Sequence, residues 1–240
     1  MIYEKLYELR VSDFDKNDNL KPSAIMDAFQ SVADLHATKL GVGYTDLLSE
    51  GCVWMLVRAK FEVLKPVKFG ESQVVVKTWP HVAGKVDYDR DYVIESTSGE
   101  TLVKGTSKWC VVNMQTRRIT LGKARYPLTE FYPERNFEGD LKKLPDFDLD
   151  GANKFKGYAG ESALDHNGHV NNVRYFEFIL DATPLDKNEQ VKTVEINYLN
   201  ELIVGDYDLY FKKDGDNRLI KGFSCDKESF RAQIITTKIV

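Results

Sequence analysis

Ser162-Ala163-Leu164-Asp165-His166-Asn167-Gly168-His169-Val170 restates, with changes, the earlier stretch Ser12-Asp13-Phe14-Asp15-Lys16-Asn17-Asp18-Asn19-Leu20. A serine, an aspartate and an asparagine align, and Asn19 stands opposite His169. The correspondence continues downstream. Phe61-Glu62-Val63-Leu64-Lys65-Pro66, then Gly70-Glu71, lines up with Ile196-Asn197-Tyr198-Leu199-Asn200-Glu201, then Gly205-Asp206, which sets Pro66 opposite Glu201. An internal repeat in a chain of 240 residues predicts two joined copies of one fold. Only the second copy has both the histidine and the glutamate.

Around the first copy, Pro22 suits the first position of a helix. The polar residues Asp27, Ser31, Asp34 and Thr38 then recur at helical spacing until Gly41 supplies a stop, so a helix is expected over residues 23–40. Runs rich in Val, Tyr, Trp and Thr predict strands over 53–64, 72–79, 86–96 and 101–113. Around the second copy, Arg174, Glu177 and Asp181 form one narrow charged stripe on an otherwise apolar helix over 173–182. Strands are expected over 191–199, 207–212, 218–224 and 230–237, with Asp214-Gly215-Asp216-Asn217 as a turn. The fold class is therefore α+β. Each half is a long helix wrapped by a curved antiparallel sheet, and the two halves lie side by side so that the sheet continues across them. Residues 1–125 and 151–240 make the two domains, joined by a surface linker over 126–150 that Pro127, Pro133, Gly139 and Pro145 interrupt.

The composition limits the function classes. A 42% hydrophobic and 12% aromatic content supports a packed core, and a net charge of −4 gives no reason to expect a nucleic-acid partner. The first ten residues mix charge with apolar side chains and lack a signal-peptide core, and no later run reaches membrane-spanning length, so a cytoplasmic location is expected. Cys52, Cys110 and Cys225 are scattered and odd in number, which argues against a disulfide framework and a zinc site. No G-x-S-x-G elbow, P-loop, H-E-x-x-H or G-x-G-x-x-G occurs. His36 and His81 are read as structural.

Asp165, Asn167 and His169 alternate, so an extended loop would project a carboxylate, an amide and an imidazole to one side. The loop leads into a helix with Asn171 or Asn172 as its N-cap, where free N–H groups and the helix dipole favour a developing oxyanion. Gly168 lets the backbone bend. Taken alone, Asp165 and Asn167 are equally readable as turn residues, because Asp15 and Asn17 persist in the first copy.

Asp165-His166-Asn167-Gly168-His169-Val170-Asn171-Asn172-Val173-Arg174-Tyr175 resembles the D-x-N-x-H-V-N-N-x-x-Y signature of acyl-[acyl-carrier-protein] thioesterases. The resemblance continues through Thr78-Trp79-Pro80, Arg90-Asp91-Tyr92, Gly99-Glu100, Ser107-Lys108-Trp109 and Thr116-Arg117-Arg118. It implies a tandem hotdog fold and hydrolysis of fatty acyl thioesters of acyl carrier protein, ending fatty-acid synthesis. It also implies catalytic roles for Asp165, Asn167, His169 and Glu201. Plant members carry a cysteine just after that glutamate, where this chain has Leu202, so a cysteine mechanism at that position is closed to it.

Thioester hydrolysis needs an activated water or a carboxylate nucleophile, a stabilised oxyanion and a slot for the acyl tail. Glu201 with His169 is expected to polarise water and Asn167 to orient the thioester or the water. Asp165 either positions Asn167 and the water or attacks the carbonyl itself. Met26, Phe29, Trp54 and Met55 are candidate tail-lining residues. Arg117, Arg118, Lys123 and Arg125 are candidate contacts for the acidic carrier protein with its phosphopantetheine-linked acyl chain. No metal or dissociable cofactor is implied, and a homodimer is compatible with the reading. A hotdog thioesterase acting on acyl-CoA and a non-catalytic acyl- or pantetheine-binding module are the alternatives.

Overall fold

The computed structural model describes residues 1–121 and 126–238. Among the described residues, ten strands form one antiparallel sheet: β1 (Tyr3–Glu8), β2 (Cys52–Val63), β3 (Gln73–Pro80), β4 (Tyr88–Glu95), β5 (Thr101–Asn113), β6 (Asn153–Ala159), β7 (Glu189–Tyr198), β8 (Gly205–Asp214), β9 (Asn217–Ser224) and β10 (Lys227–Lys238). Their order is β1-β3-β4-β5-β2-β7-β10-β9-β8-β6. Read inward from either edge, the two halves have the same topology. They join where β2 pairs with β7, from Arg58 opposite Asn197 to Glu62 opposite Thr193.

The α-helices of the described residues are α1 (Pro22–Lys39), α2 (Tyr44–Ser49) and α3 (Arg174–Ala182). Pro22 opens α1, whose buried face carries Ile25, Met26, Phe29, Val32 and Ala33. On α3 the apolar face is Tyr175, Phe176, Phe178, Ile179 and Ala182. One hydrophobic cluster runs through both halves, with Phe61 of β2 and Phe176 of α3 meeting at 6.0 Å between ring centroids. The close approach of α1 to the sheet depends on Gly105, where a Cβ would fall 2.3 Å from the Phe29 ring.

Residues 126–150 contain no strand or helix and run across the sheet face opposite the helices. Asn136 Nδ2 donates to the Tyr92 and Gly105 carbonyls at 2.7 and 2.8 Å. Farther along, Leu144 N donates to Asn197 Oδ1 at 2.6 Å. Phe137 sits under the ammonium groups of Lys60 and Lys104. A polar cavity of about 290 Å³ remains between this segment and β2, β4 and β7.

Three elements go beyond the sequence reading. Strands β1 and β6 are edge strands, mostly exposed and only weakly patterned, so they lack the alternation that marks a half-buried strand. Helix α2 has six residues, too few to display a period. Its start is nonetheless capped, with Gly43 N donating to Asp46 Oδ2 at 2.8 Å.

Candidate active site

The loop Asp165 to His169 is a closed turn and not the extended segment expected from the sequence. Asp165 N donates to the His169 carbonyl at 2.8 Å, Gly168 N donates to the Asp165 carbonyl at 3.0 Å, and Leu164 and Val170 bridge across its base. Strand-like alternation does not apply to such a turn. Instead the Asp165 carboxylate folds inward, its Oδ1 accepting from Asn167 N at 2.8 Å and His169 N at 3.2 Å. Gly168 supplies the left-handed residue, with φ of +76°. The N-cap also differs. Helix α3 begins at Arg174 with Val173 as its cap, while Asn171 Oδ1 accepts from Val173 N at 2.9 Å in an Asx turn one step earlier.

The first copy has the same backbone. Asp15 N donates to the Asn19 carbonyl at 2.8 Å, and Asp15 Oδ1 accepts from Asn17 N and Asn19 N at 2.8 and 2.9 Å. Asp18, with φ of +60°, takes the place of Gly168. The side chains diverge at one position. Asn19 is 7% exposed and accepts from Lys68 Nζ at 2.7 Å, whereas the His169 side chain is 47% exposed and lies 3.7 Å from Glu201 Oε1. Beside the first loop, Asp15, Asn19, Pro66 and Gln190 border a cavity of only about 20 Å³, room for a water and no more.

Glu201 follows β7 and is held in place by its neighbour. Leu202 is buried, and its N–H donates to the Tyr175 hydroxyl at 3.0 Å. Burial pushes that hydroxyl up to about 12, so it stays protonated and serves as a fixed anchor. Two first-half residues then reach across the seam. Tyr44 of α2 donates its hydroxyl to Asn167 Oδ1 at 2.8 Å and meets the His166 ring edge-on at 4.8 Å. Arg117, on the turn after β5, donates from Nη2 to Glu201 Oε1 at 2.7 Å. Tyr44 had no signal in the sequence beyond the Gly43 and Asp46 cap of a helix too short to recognise.

The structure thus sets exposed His169 beside exposed Glu201, with exposed Asn167 two residues earlier on a loop that the Asp165 carboxylate closes. Arg118 is exposed on the same turn as Arg117, while Lys123 and Arg125 lie outside the described residues. The four candidate tail residues do not share one surface. Met26 and Phe29 lie in the main core, where Phe29 stacks on Tyr92 at 4.6 Å. Trp54 belongs to a second cluster with Leu47, Cys52, Tyr88, Val111 and Tyr126, and its indole N–H donates to the Val42 carbonyl. Met55, next on the strand, faces the opposite side and is 44% exposed. His36 and His81 are buried in polar packing, His36 against Arg90 and Tyr3, His81 against Asp91.

Two family models match the chain: the acyl-ACP thioesterase N-terminal domain over residues 1–121 and the C-terminal domain over residues 153–219. Among curated relatives, the oleoyl-acyl carrier protein thioesterase 1 of Arabidopsis thaliana is 26% identical over 219 residues, which cover 83% of this chain and 60% of the relative. The palmitoyl-acyl carrier protein thioesterase of Gossypium hirsutum is 26% identical over 216 residues, covering 84% of this chain and 52% of the relative. Both are chloroplastic proteins, and the chain spans between about half and three fifths of their length. The fold is shared end to end with the 12:0-ACP thioesterase of Umbellularia californica, with a TM-score of 0.86, 20% identity, and coverage of 99% of this chain and 97% of that one. An acyl-ACP thioesterase from Bacteroides thetaiotaomicron gives a TM-score of 0.84 at 20% identity, covering 98% of each chain. The architecture is the α+β tandem hotdog that the sequence resemblance implies.

Proposed function

This chain belongs to the acyl-ACP thioesterase family, and on that premise we propose that it hydrolyses fatty acyl thioesters of acyl carrier protein to free fatty acid and the carrier thiol, which ends fatty-acid synthesis. The observation that carries the reading is the exposed pairing of His169 with Glu201 beside the Asn167 loop in the second half, against a buried Asn19 and a proline, Pro66, at the positions of the histidine and the glutamate in the first. Glu201 and His169 draw a proton from water as its oxygen adds to the thioester carbonyl. Their 3.7 Å separation is a resting geometry that tightens around the substrate. With Oδ1 of Asn167 occupied by Tyr44, its Nδ2 is left to donate to the carbonyl oxygen as charge develops there. The C–S bond then breaks and the departing sulfur takes the proton held by His169. Asp165 acts as the positioning carboxylate in this scheme, a role supported by the two backbone N–H groups that its Oδ1 accepts.

The first domain, residues 1–125, is joined through the segment 126–150 to the catalytic domain, residues 151–240. We assign the acyl tail to the first. Helix α2 supports this, since Tyr44 meets the catalytic loop while Leu47 on the same short helix joins the aromatic cluster of Trp54 and Tyr88. Trp54 is then the lining candidate that this cluster supports, while Met26 and Phe29 belong to the separate main core and Met55 faces the opposite side. Exposed Arg118 offers a contact for the acidic carrier protein.

The test is release of free fatty acid from a panel of acyl-carrier-protein thioesters, run beside the same acyl groups on CoA. Faster turnover on the carrier protein is expected. Preference for CoA would replace the carrier protein as substrate, and binding without turnover on either would make the chain an acyl-binding module.

A further inference from the structure

We infer that Tyr44 and Arg117, both from the first half, are positioning residues of the catalytic site, so that the second half reaches its full rate only with the first. The inference rests on the thioesterase reading above. Each residue hydrogen-bonds across the seam to one candidate catalytic group: Tyr44 to Asn167 at 2.8 Å and Arg117 to Glu201 at 2.7 Å. They fix the two groups that must be aimed, the amide that meets the carbonyl and the carboxylate that meets the water.

The Arg117 contact is built by its local backbone. Residues Asn113 to Arg118 close a turn in which Asn113 Oδ1 accepts from Gln115 N and Thr116 N, and Arg117 is held in the left-handed region at φ of +58°. A side chain held there is uncommon without a reason. The outcome is that the guanidinium reaches Glu201 Oε1, the same oxygen that faces His169 Nε2 at 3.7 Å. Arg117 therefore sets which way the carboxylate presents its second oxygen.

Tyr44 is likewise placed by tight local packing. Gly43 sits so close to Thr38 that a Cβ there would fall 2.5 Å from its Oγ1, which lets α2 turn directly off the end of α1. By accepting from the Tyr44 hydroxyl, Asn167 Oδ1 is removed as a competitor for water, and the amide cannot rotate without losing that bond. In the first copy, Asn17 Nδ2 is buried without a hydrogen-bond partner. The loop alone does not orient its asparagine.

The test uses the full chain and steady-state hydrolysis of an acyl-carrier-protein thioester by Tyr44→Phe, Arg117→Gln and Arg117→Lys, alone and combined with Asn167→Ala or Glu201→Gln. The expected result is a kcat lower by about tenfold for Tyr44→Phe and Arg117→Gln, with KM within about twofold, and partial recovery in Arg117→Lys because the cation is kept and the planar fork lost. Losses should not add: Arg117→Gln has little further effect once Glu201 is Gln, and Tyr44→Phe has little further effect once Asn167 is Ala. A rise in KM with kcat intact would make Arg117 a carrier-docking residue, and additive losses or unchanged kcat would also overturn the inference while leaving the activity standing. A wild-type chain inert on these thioesters would instead overturn the proposed activity, and the inference with it.

Discussion

The loops at Asp15 and Asp165 share one backbone and differ in what surrounds it. In each, an aspartate Oδ1 accepts two N–H groups from residues two and four positions on. Yet the first is shut against Lys68 and Pro66 over a cavity of about 20 Å³, and the second opens toward Glu201, Tyr44 and Arg117. The aspartate–asparagine turn is thus a structural device of the fold, and what the second copy adds is an exposed imidazole, a facing carboxylate and contacts from across the seam. A motif residue retained in both copies says little about catalysis. The residue that changes says more.

The largest expected difference between the halves lies in turnover. Glu201→Gln and His169→Ala should each reduce hydrolysis by on the order of 10²-fold or more, the scale of lost acid–base assistance, while Asn19→Ala and Pro66→Ala leave it within about threefold. Initial rates on one acyl-carrier-protein substrate decide this, and near-normal rates in both second-half variants would place the chemistry elsewhere.

Acid sensitivity should run the other way and belong to the first half. His36 of α1 is buried between Arg90 and Tyr3, and burial followed by the Arg90 charge depresses its pKa from 6.5 to about 4. The unfolded chain then binds the proton more readily, so stability contributed by neutral His36 is full above about pH 6.5 and falls as the pH drops toward 4, by at most about 3 kcal/mol. Urea unfolding at pH 7 and pH 4.5 checks it: His36→Gln should flatten that difference, and an unchanged pH dependence would count against the assignment.

The smallest effect should come from the cysteines. Cys52 and Cys110 are buried, and burial pushes the Cys110 thiol up to about 11, which keeps it protonated and unreactive. Exposed Cys225 sits at a turn between β9 and β10. A triple Cys→Ala chain should hydrolyse within about twofold of the parent. Lost activity with a native circular dichroism spectrum would reinstate a thiol role.

Helices α1 and α3, and the eight strands that line the core, were legible because burial imposes a period on the sequence. Edge strands β1 and β6 were not, since a strand paired on one side and largely exposed carries little alternation. The site was half legible for a related reason. His169 and Glu201 stand out when the copies are aligned, because Asn19 and Pro66 replace them. Tyr44 and Arg117 reach their partners from the other half, across 123 and 84 residues, and no local pattern records a contact of that range. The loop conformation is hidden in the sequence because Asp-x-Asn-x-His alternates like a strand, whereas the aspartate side chain satisfies backbone N–H groups and closes a turn.

The central claim, one loop built twice and used once, is tested most directly by measuring hydrolysis in Asp15→Ala and Asp165→Ala side by side. Either change strips an acceptor from two backbone N–H groups and should lower unfolding stability by a similar amount, on the order of 1–3 kcal/mol. Turnover should separate them, falling on the order of 10²-fold in Asp165→Ala and staying within about threefold in Asp15→Ala at a temperature where both remain folded. Equal losses of turnover in the two variants would contradict the account.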